Sequence, residues 1–204
     1  MASLSIVTAP YMEPVSLEEA KLQLRVDGTE EDALIMMLIS SARERAEQLT
    51  GRQLMTARWL LTLDCFPKRG PMDSDSGTFY PGNEIRLPKS PAVEVHAIRY
   101  LGINGEWKEM QVGEYIVDMR SEPARIHLPF GRFWPVTMPQ LNAVEVEFSA
   151  GYANESVVPS AIKQWIMWTV ASAYKQREAD AEKTVSQVSF MDGLLDPYRV
   201  VWAL

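Results

Sequence analysis

The stretch that most constrains this chain is SLEEAKLQLRVDGTEEDALIMMLISSARERAEQLTGRQL, residues Ser16 to Leu54. Two helix starts and one stop are written in it. Ser16 followed by Glu19 has the spacing of a capping box, in which the hydroxyl accepts from a free backbone N–H and the carboxylate reaches back. Thr29 with Asp32 repeats the spacing with a shorter acid. Asp27-Gly28 between them is a turn signal, and Gly51 falls where a left-handed C-terminal cap belongs. The pattern predicts helices over about 17–26 and 30–50. In the second, Ile35, Leu38, Ile39, Ala42, Ala46 and Leu49 share one face. Ala33–Ile39, however, is apolar all round, so that half of the helix needs cover from more than one direction.

The composition changes after the hairpin. Residues 1–15 read as extended, with Pro10 and Pro14 disfavouring helix. Thr56–Phe66 is rich in β-branched and aromatic residues and reads as a strand. Residues 67–82, PKRGPMDSDSGTFYPG, are a long loop, and loops of that length are either functional or unstructured. Short strands follow at about 84–88, 93–101, 107–109, 115–118 and 125–128, with Asn104-Gly105 as a hairpin turn. In AVEVEFSA, residues 143–150, Val144, Val146 and Phe148 alternate with Glu145, Glu147 and Ser149, as in a strand with one face on a core and one in water. Helix resumes at Pro159 and runs to about Ala179, with a stripe of Ile162, Trp165, Ile166, Thr169, Val170 and Ala173. Lys175–Lys183 is charged, and the tail Val188–Leu204 is apolar again. The expected fold is α+β. A helical core from both chain ends (16–54 and 158–204) carries a mostly antiparallel β insertion, 55–151, within one domain of residues 1–204.

Totals narrow the function. No apolar run approaches the roughly 20 residues that span a bilayer, and the first residues lack the basic region of a signal peptide. The single cysteine, Cys65, rules out an internal disulfide. A formal net charge of −7 argues against tight sequence-independent DNA binding, which needs surplus Lys and Arg. It does not exclude a protein that DNA slides past, because acidic surface repels phosphate.

Signatures of chemistry are scarce. There is no glycine-rich phosphate cradle and no nucleophile elbow. Cys65 in a strand reads as a small apolar residue. His96 and His127 have no second ligand at metal spacing, and no carboxylate pair stands out as an acid/base couple. No catalytic, cofactor-binding or metal-binding residue is therefore expected. Six tryptophans (Trp59, Trp107, Trp134, Trp165, Trp168 and Trp202) offer large rigid contact surfaces. Trp202, in the apolar tail, is expected at an interface.

Five short motifs carry a resemblance to a known family. They are Gln23-Leu24-Arg25-Val26 with Gly28; Thr50–Leu54; Phe130-Gly131 with Trp134-Pro135; Phe148 with Ala150-Gly151-Tyr152; and Leu194-Leu195 with Pro197-Tyr198-Arg199. In this order they resemble the head–tail connector (adaptor) proteins of tailed phages, the family named for a QLRG motif, and in particular its larger, β-inserted members. Val26 departs from the glycine of that motif. The resemblance implies a non-enzymatic virion protein of the neck, made in the host cytoplasm and needing no cofactor. It implies a homo-oligomeric ring, usually dodecameric, under the portal protein, which extends the DNA channel without binding DNA specifically or touching a membrane. It also implies a docking platform for the head-closure protein or tail. On this reading Ile35, Met36, Met37, Trp168 and Tyr174 are expected at the ring interface. Leu194, Leu195, Tyr198, Val201 and Trp202 are expected to dock on the portal, and removing Val188–Leu204 is expected to leave a folded protein. The rival readings are a DNA-binding packaging factor and an enzyme with an unrecognised site.

Overall fold

The computed structural model describes residues 2–67, 83–175 and 191–200. They fall into two compact units. One comprises residues 2–9 and 57–150, the other residues 10–56 and 151–200.

The first unit is built of antiparallel sheets. Its strands are β1 (Ala2–Thr8), β2 (Ala57–Leu63), β3 (Ile85–Arg86), β4 (Ala92–Leu101), β5 (Trp107–Glu109), β6 (Ile116–Asp118), β7 (Arg125–His127) and β8 (Val144–Ala150). A five-stranded sheet runs β1-β2-β8-β4-β5 and a three-stranded one β3-β7-β6. The alternation in β8 places it at the centre. Phe148 lies opposite Trp59 on β2 and Val95 on β4, and Val146 opposite Leu61 and Ile98. Val144, Val146 and Phe148 are fully buried with Ile98, Leu87 and Ile126. On the other face Glu147 meets Arg58 at 3.0 Å and Arg99 at 3.9 Å. Asn104-Gly105 lies at the turn between β4 and β5, where its dipeptide signal put it.

The segment 129–135 is pinned by its tryptophan. Trp134 stacks on Phe66 with centroids 4.7 Å apart and donates from Nε1 to the Asn83 carbonyl at 3.1 Å. Phe130 and Phe133 stand exposed beside it.

The second unit is helical: α1 (Leu17–Leu24), α2 (Asp32–Thr50) and α3 (Ser160–Lys175). The Ser16–Glu19 capping box forms, with both bonds in place. The Thr29–Asp32 box does not. Glu31 occupies the N-cap without a side-chain capping bond to the helix backbone. The Asp32 carboxylate, one methylene short of the Glu a box prefers, is taken by Lys21 at 2.7 Å. Helix α1 stops at Leu24, two residues early, because Arg25 turns left-handed at φ 58. Pro159 stands one residue before α3, and its carbonyl accepts from Ile162 and Lys163. The core joins Ile35, Ile39, Ala42 and Ala46 of α2 to Ile162, Trp165, Ile166 and Val170 of α3, with Leu54, Met55, Val158 and Leu195 around them.

Gly151 admits no side chain. Its φ is +121, and a Cβ would lie 2.5 Å from the Met55 carbonyl carbon and oxygen, which are backbone atoms that cannot swing away. Gly151→Ala is expected to cost about 3 kcal/mol, lowering the melting temperature by roughly 6–12 °C in a thermal scan.

The three-stranded sheet carries its own charge network. Arg125 donates from Nη2 to Asp118 at 2.8 Å and Ser121 at 2.9 Å, and it faces Glu84 at 3.5 Å. The Ser121 hydroxyl, then Arg125 and the Arg120 N–H, hold the Asp118 carboxyl well below the usual carboxylate range. A depressed carboxylate adds stability above its unfolded value, near 3.9, and loses it as pH falls further. Wild type is therefore expected to lose stability between about pH 4 and 2 more steeply than Asp118→Asn, as read by denaturant midpoints across that range.

Candidate functional site

The TGRQL turn, Thr50–Leu54, is where the helical unit is locked together. Gly51 adopts φ +70 and its N–H donates to the Glu47 carbonyl, closing α2. The Thr50 hydroxyl donates to Ala46 O at 2.7 Å and accepts from Arg52 N at 3.3 Å. The Glu47 side chain lies beneath, buried. Its Oε1 accepts from Gln53 Nε2 at 2.7 Å and from Leu54 N at 3.0 Å, and its Oε2 accepts from Arg43 Nη1 at 3.1 Å. Arg43 turns its Nε to Glu13 at 2.8 Å. Arg52 donates to Tyr198 O at 2.6 Å, and Val200 N donates to Thr50 O at 2.8 Å. One turn thus fixes the end of α2, the segment before α1 and residues 198–200.

Two further bonds join the helices. Lys163 of α3 donates to Glu19 of α1 at 2.8 Å. Burial pushes the Glu19 carboxyl up, but the Lys163 and Ser16 hydrogen bonds outweigh it and the net shift is downward. The Tyr174 hydroxyl near the end of α3 donates to Glu31 ahead of α2.

This scaffold sorts the residues expected at interfaces. Met36 and Met37 are 57% and 61% exposed. They project from α2 away from the face of Ile35, Ile39 and Ala42, so among the described residues this side of the all-round apolar stretch has no cover. Ile35 itself is fully buried in the core and offers no surface. Trp168 is half-buried, while Tyr174 packs against the core and is tied to Glu31.

The tail divides in the same way. Leu195 is fully buried in the helical core, with Leu194 and Tyr198 half-buried against it. Asp192 accepts from the Trp165 indole at 3.2 Å. Residues 191–200 are thus part of the fold, and cutting at residue 188 would empty the Leu195 site. Val201 and Trp202 lie outside the described residues. The buried charges Arg43 and Glu47 stand one turn apart beside the stripe of Ile35, Ile39 and Ala46, where helical periodicity alone reads them as solvated. No group of three His, Cys, Asp or Glu side chains able to hold a metal occurs among the described residues. No helix among them is long and apolar enough to cross a membrane.

Comparison with known proteins adds family and fold. Residues 14–98 match the family described as Phage gp6-like head-tail connector protein. Over that stretch, which holds the hairpin and the Glu47 turn, the chain is similar to head–tail connector proteins. No curated protein sequence matches the chain. Solved structures share the fold across nearly the whole length. A chain in the neck of an empty gene transfer agent (GTA) particle, computed with C6 symmetry, is 23% identical and superposes with a TM-score of 0.76, covering 99% of this chain and 97% of that one. A chain in the neck of the native GTA particle, computed with C12 symmetry, is 23% identical with a TM-score of 0.73 and the same coverage. A chain in the native GTA virion is 22% identical with a TM-score of 0.73, covering 98% and 97%.

Removing one member of a buried charged pair strands the other, which costs about 3–5 kcal/mol. Glu47→Ala is expected to fall in that range in urea unfolding of the free chain. Thr62→Ala, on the solvated side of β2, is expected to stay within about 0.5 kcal/mol.

Proposed function

We propose that this chain is a structural connector of the virion neck, which assembles as a ring of identical subunits between portal and tail and acts by binding, without catalysis. The observation that carries the reading is the head–tail connector match over residues 14–98. The GTA neck chains that share the fold occur in particles treated with C6 and C12 symmetry. In this reading each subunit contacts two neighbours head-to-tail, the arrangement that closes into a ring.

The uncovered Met36 and Met37 then form the lateral contact, with Trp168 beside the α3 surface. Adaptable thioether side chains suit such a surface. Tyr174 and Ile35 serve inside the subunit. Leu194 and Tyr198, half-buried on the helical unit, contribute to the portal contact together with residues 201–204, whereas Leu195 holds the tail in place. Phe130 and Phe133, exposed on the sheet unit, offer the platform for a head-closure protein. The net charge of −7 keeps passing DNA from adhering to the ring.

The double variant Met36→Glu with Met37→Glu tests the lateral contact. Both positions are exposed, so its melting temperature is expected to stay within about 2 °C of wild type. Its ring assembly, read by native mass in the presence of portal, is expected to be lost. A variant that assembles as wild type does would refute the contact. The portal contact is tested by removing residues 201–204 alone, because a cut at 188 would report loss of the core.

A further inference from the structure

Among the described residues, the five-stranded sheet has one long edge that no strand covers and no charged side chain blunts. Strand β1 pairs with β2 from Ala2↔Leu63 to Thr8↔Arg58 and, among the described residues, with no other strand. Its sequence, ASLSIVT, has no charge and no proline. Six of its seven residues are exposed, with Ile6 at 49% and Val7 at 51%. Sheets normally blunt such edges with Lys, Pro or very short strands. The opposite edge follows that rule, since β5 has three residues and two of them are Lys108 and Glu109.

A second feature lies against the same strand. A groove of about 500 Å³ is lined by Ala2, Ser3 and Leu4 of β1, by Leu61 and Leu63 of β2, and by Ile85 of β3. Its two charged wall residues already neutralise each other, with Arg86 Nε 2.9 Å from Glu84. Cys65, the only cysteine of the chain, lines it as well and is exposed.

We propose that the outer edge of β1 is a strand-addition site for an extended, uncharged segment of another neck protein, with one apolar side chain of that segment seated in the groove. In this mode main-chain hydrogen bonds supply affinity and a side-chain pocket supplies selectivity. Charge matching sets the occupant's chemistry: neither the strand nor the self-neutralised groove wall offers a partner for an ion. A second copy of this chain is the poorer occupant. Among the described residues the other free strand edges belong to segments of two or three residues (β3, β5 and β6) or to the outer side of β4, which is ten residues long and carries Glu94, His96 and Arg99. The remaining self-pairing is β1 with β1, which is two-fold and cannot propagate around a cyclic ring. That last step rests on the ring proposed above, whereas the edge and the groove do not.

The test uses the free full-length chain and a synthetic, capped heptapeptide alternating threonine and valine. Amide exchange of β1 is expected to show fast and slow amides in alternation, the slow ones bonded to β2. Saturating peptide is expected to slow the fast set at least tenfold and to slow alkylation of Cys65. Ser5→Lys, which places a charge on the exposed strand, is expected to abolish both effects while leaving the melting temperature unchanged. Exchange and alkylation that ignore the peptide would overturn the proposal. A dimer that forms without peptide and is broken by Ser5→Lys would also overturn it, in favour of self-pairing. Ring formation is read separately by native mass with portal, so failure of the ring and failure of the edge are told apart.

Discussion

Glu47 is the carboxylate on which the helical unit depends. It is buried, charged and bonded at once to Arg43, to the Gln53 side chain and to the Leu54 backbone. Burying an ion is costly unless its lone pairs are filled, and the TGRQL turn fills them. The same residue, through its carbonyl, receives the Gly51 cap. Because Arg43 also reaches Glu13, and because Arg52 and Thr50 bind residues 198 and 200 through the backbone, segments distant in sequence are held by one polar cluster. The apolar contacts of α2 with α3 are non-directional. The cluster fixes the register in which they are made.

With the register fixed, the outward chemistry of the subunit is determined. Helix α2 turns Ile35, Ile39, Ala42 and Ala46 inward and leaves Met36 and Met37 outside. A subunit that stayed alone would gain nothing from two adjacent exposed methionines, whereas one that meets a neighbour can bury them. On the sheet unit, β8 buries Val144, Val146 and Phe148 completely, while β1, two strands away, has no partner on its outer edge among the described residues.

Much of this was legible in the sequence where the signal is local. The Ser16–Glu19 box, the Gly51 cap, the Asn104-Gly105 turn and the alternation of 143–150 each depend on neighbours within a few residues, and each stands in the structure. The α+β class followed from their order. Long-range choices were not legible. Residues 2–8 read as extended, but nothing in them names β2, some fifty residues on, as their partner. Asp32 looked like the box partner of a Thr29 cap and is instead a partner of Lys21, because a salt bridge across the hairpin competed with a weak local bond. Leu195 looked like part of a docking tail and is core, since apolar character alone does not say whose core a residue enters. The roles of Arg43 and Glu47 were hidden for a related reason. Charges beside an apolar stripe look like the start of a solvated face until the groups that satisfy them are known.

The most direct test is native mass spectrometry of the wild-type chain, alone and mixed with an assembled portal ring. The account predicts a species in which about twelve copies join one portal ring, the number that C12 symmetry in a neck of the same fold would give. A chain that remains free of the portal at concentrations well above those of assembly, or joins it in one or two copies, would contradict it.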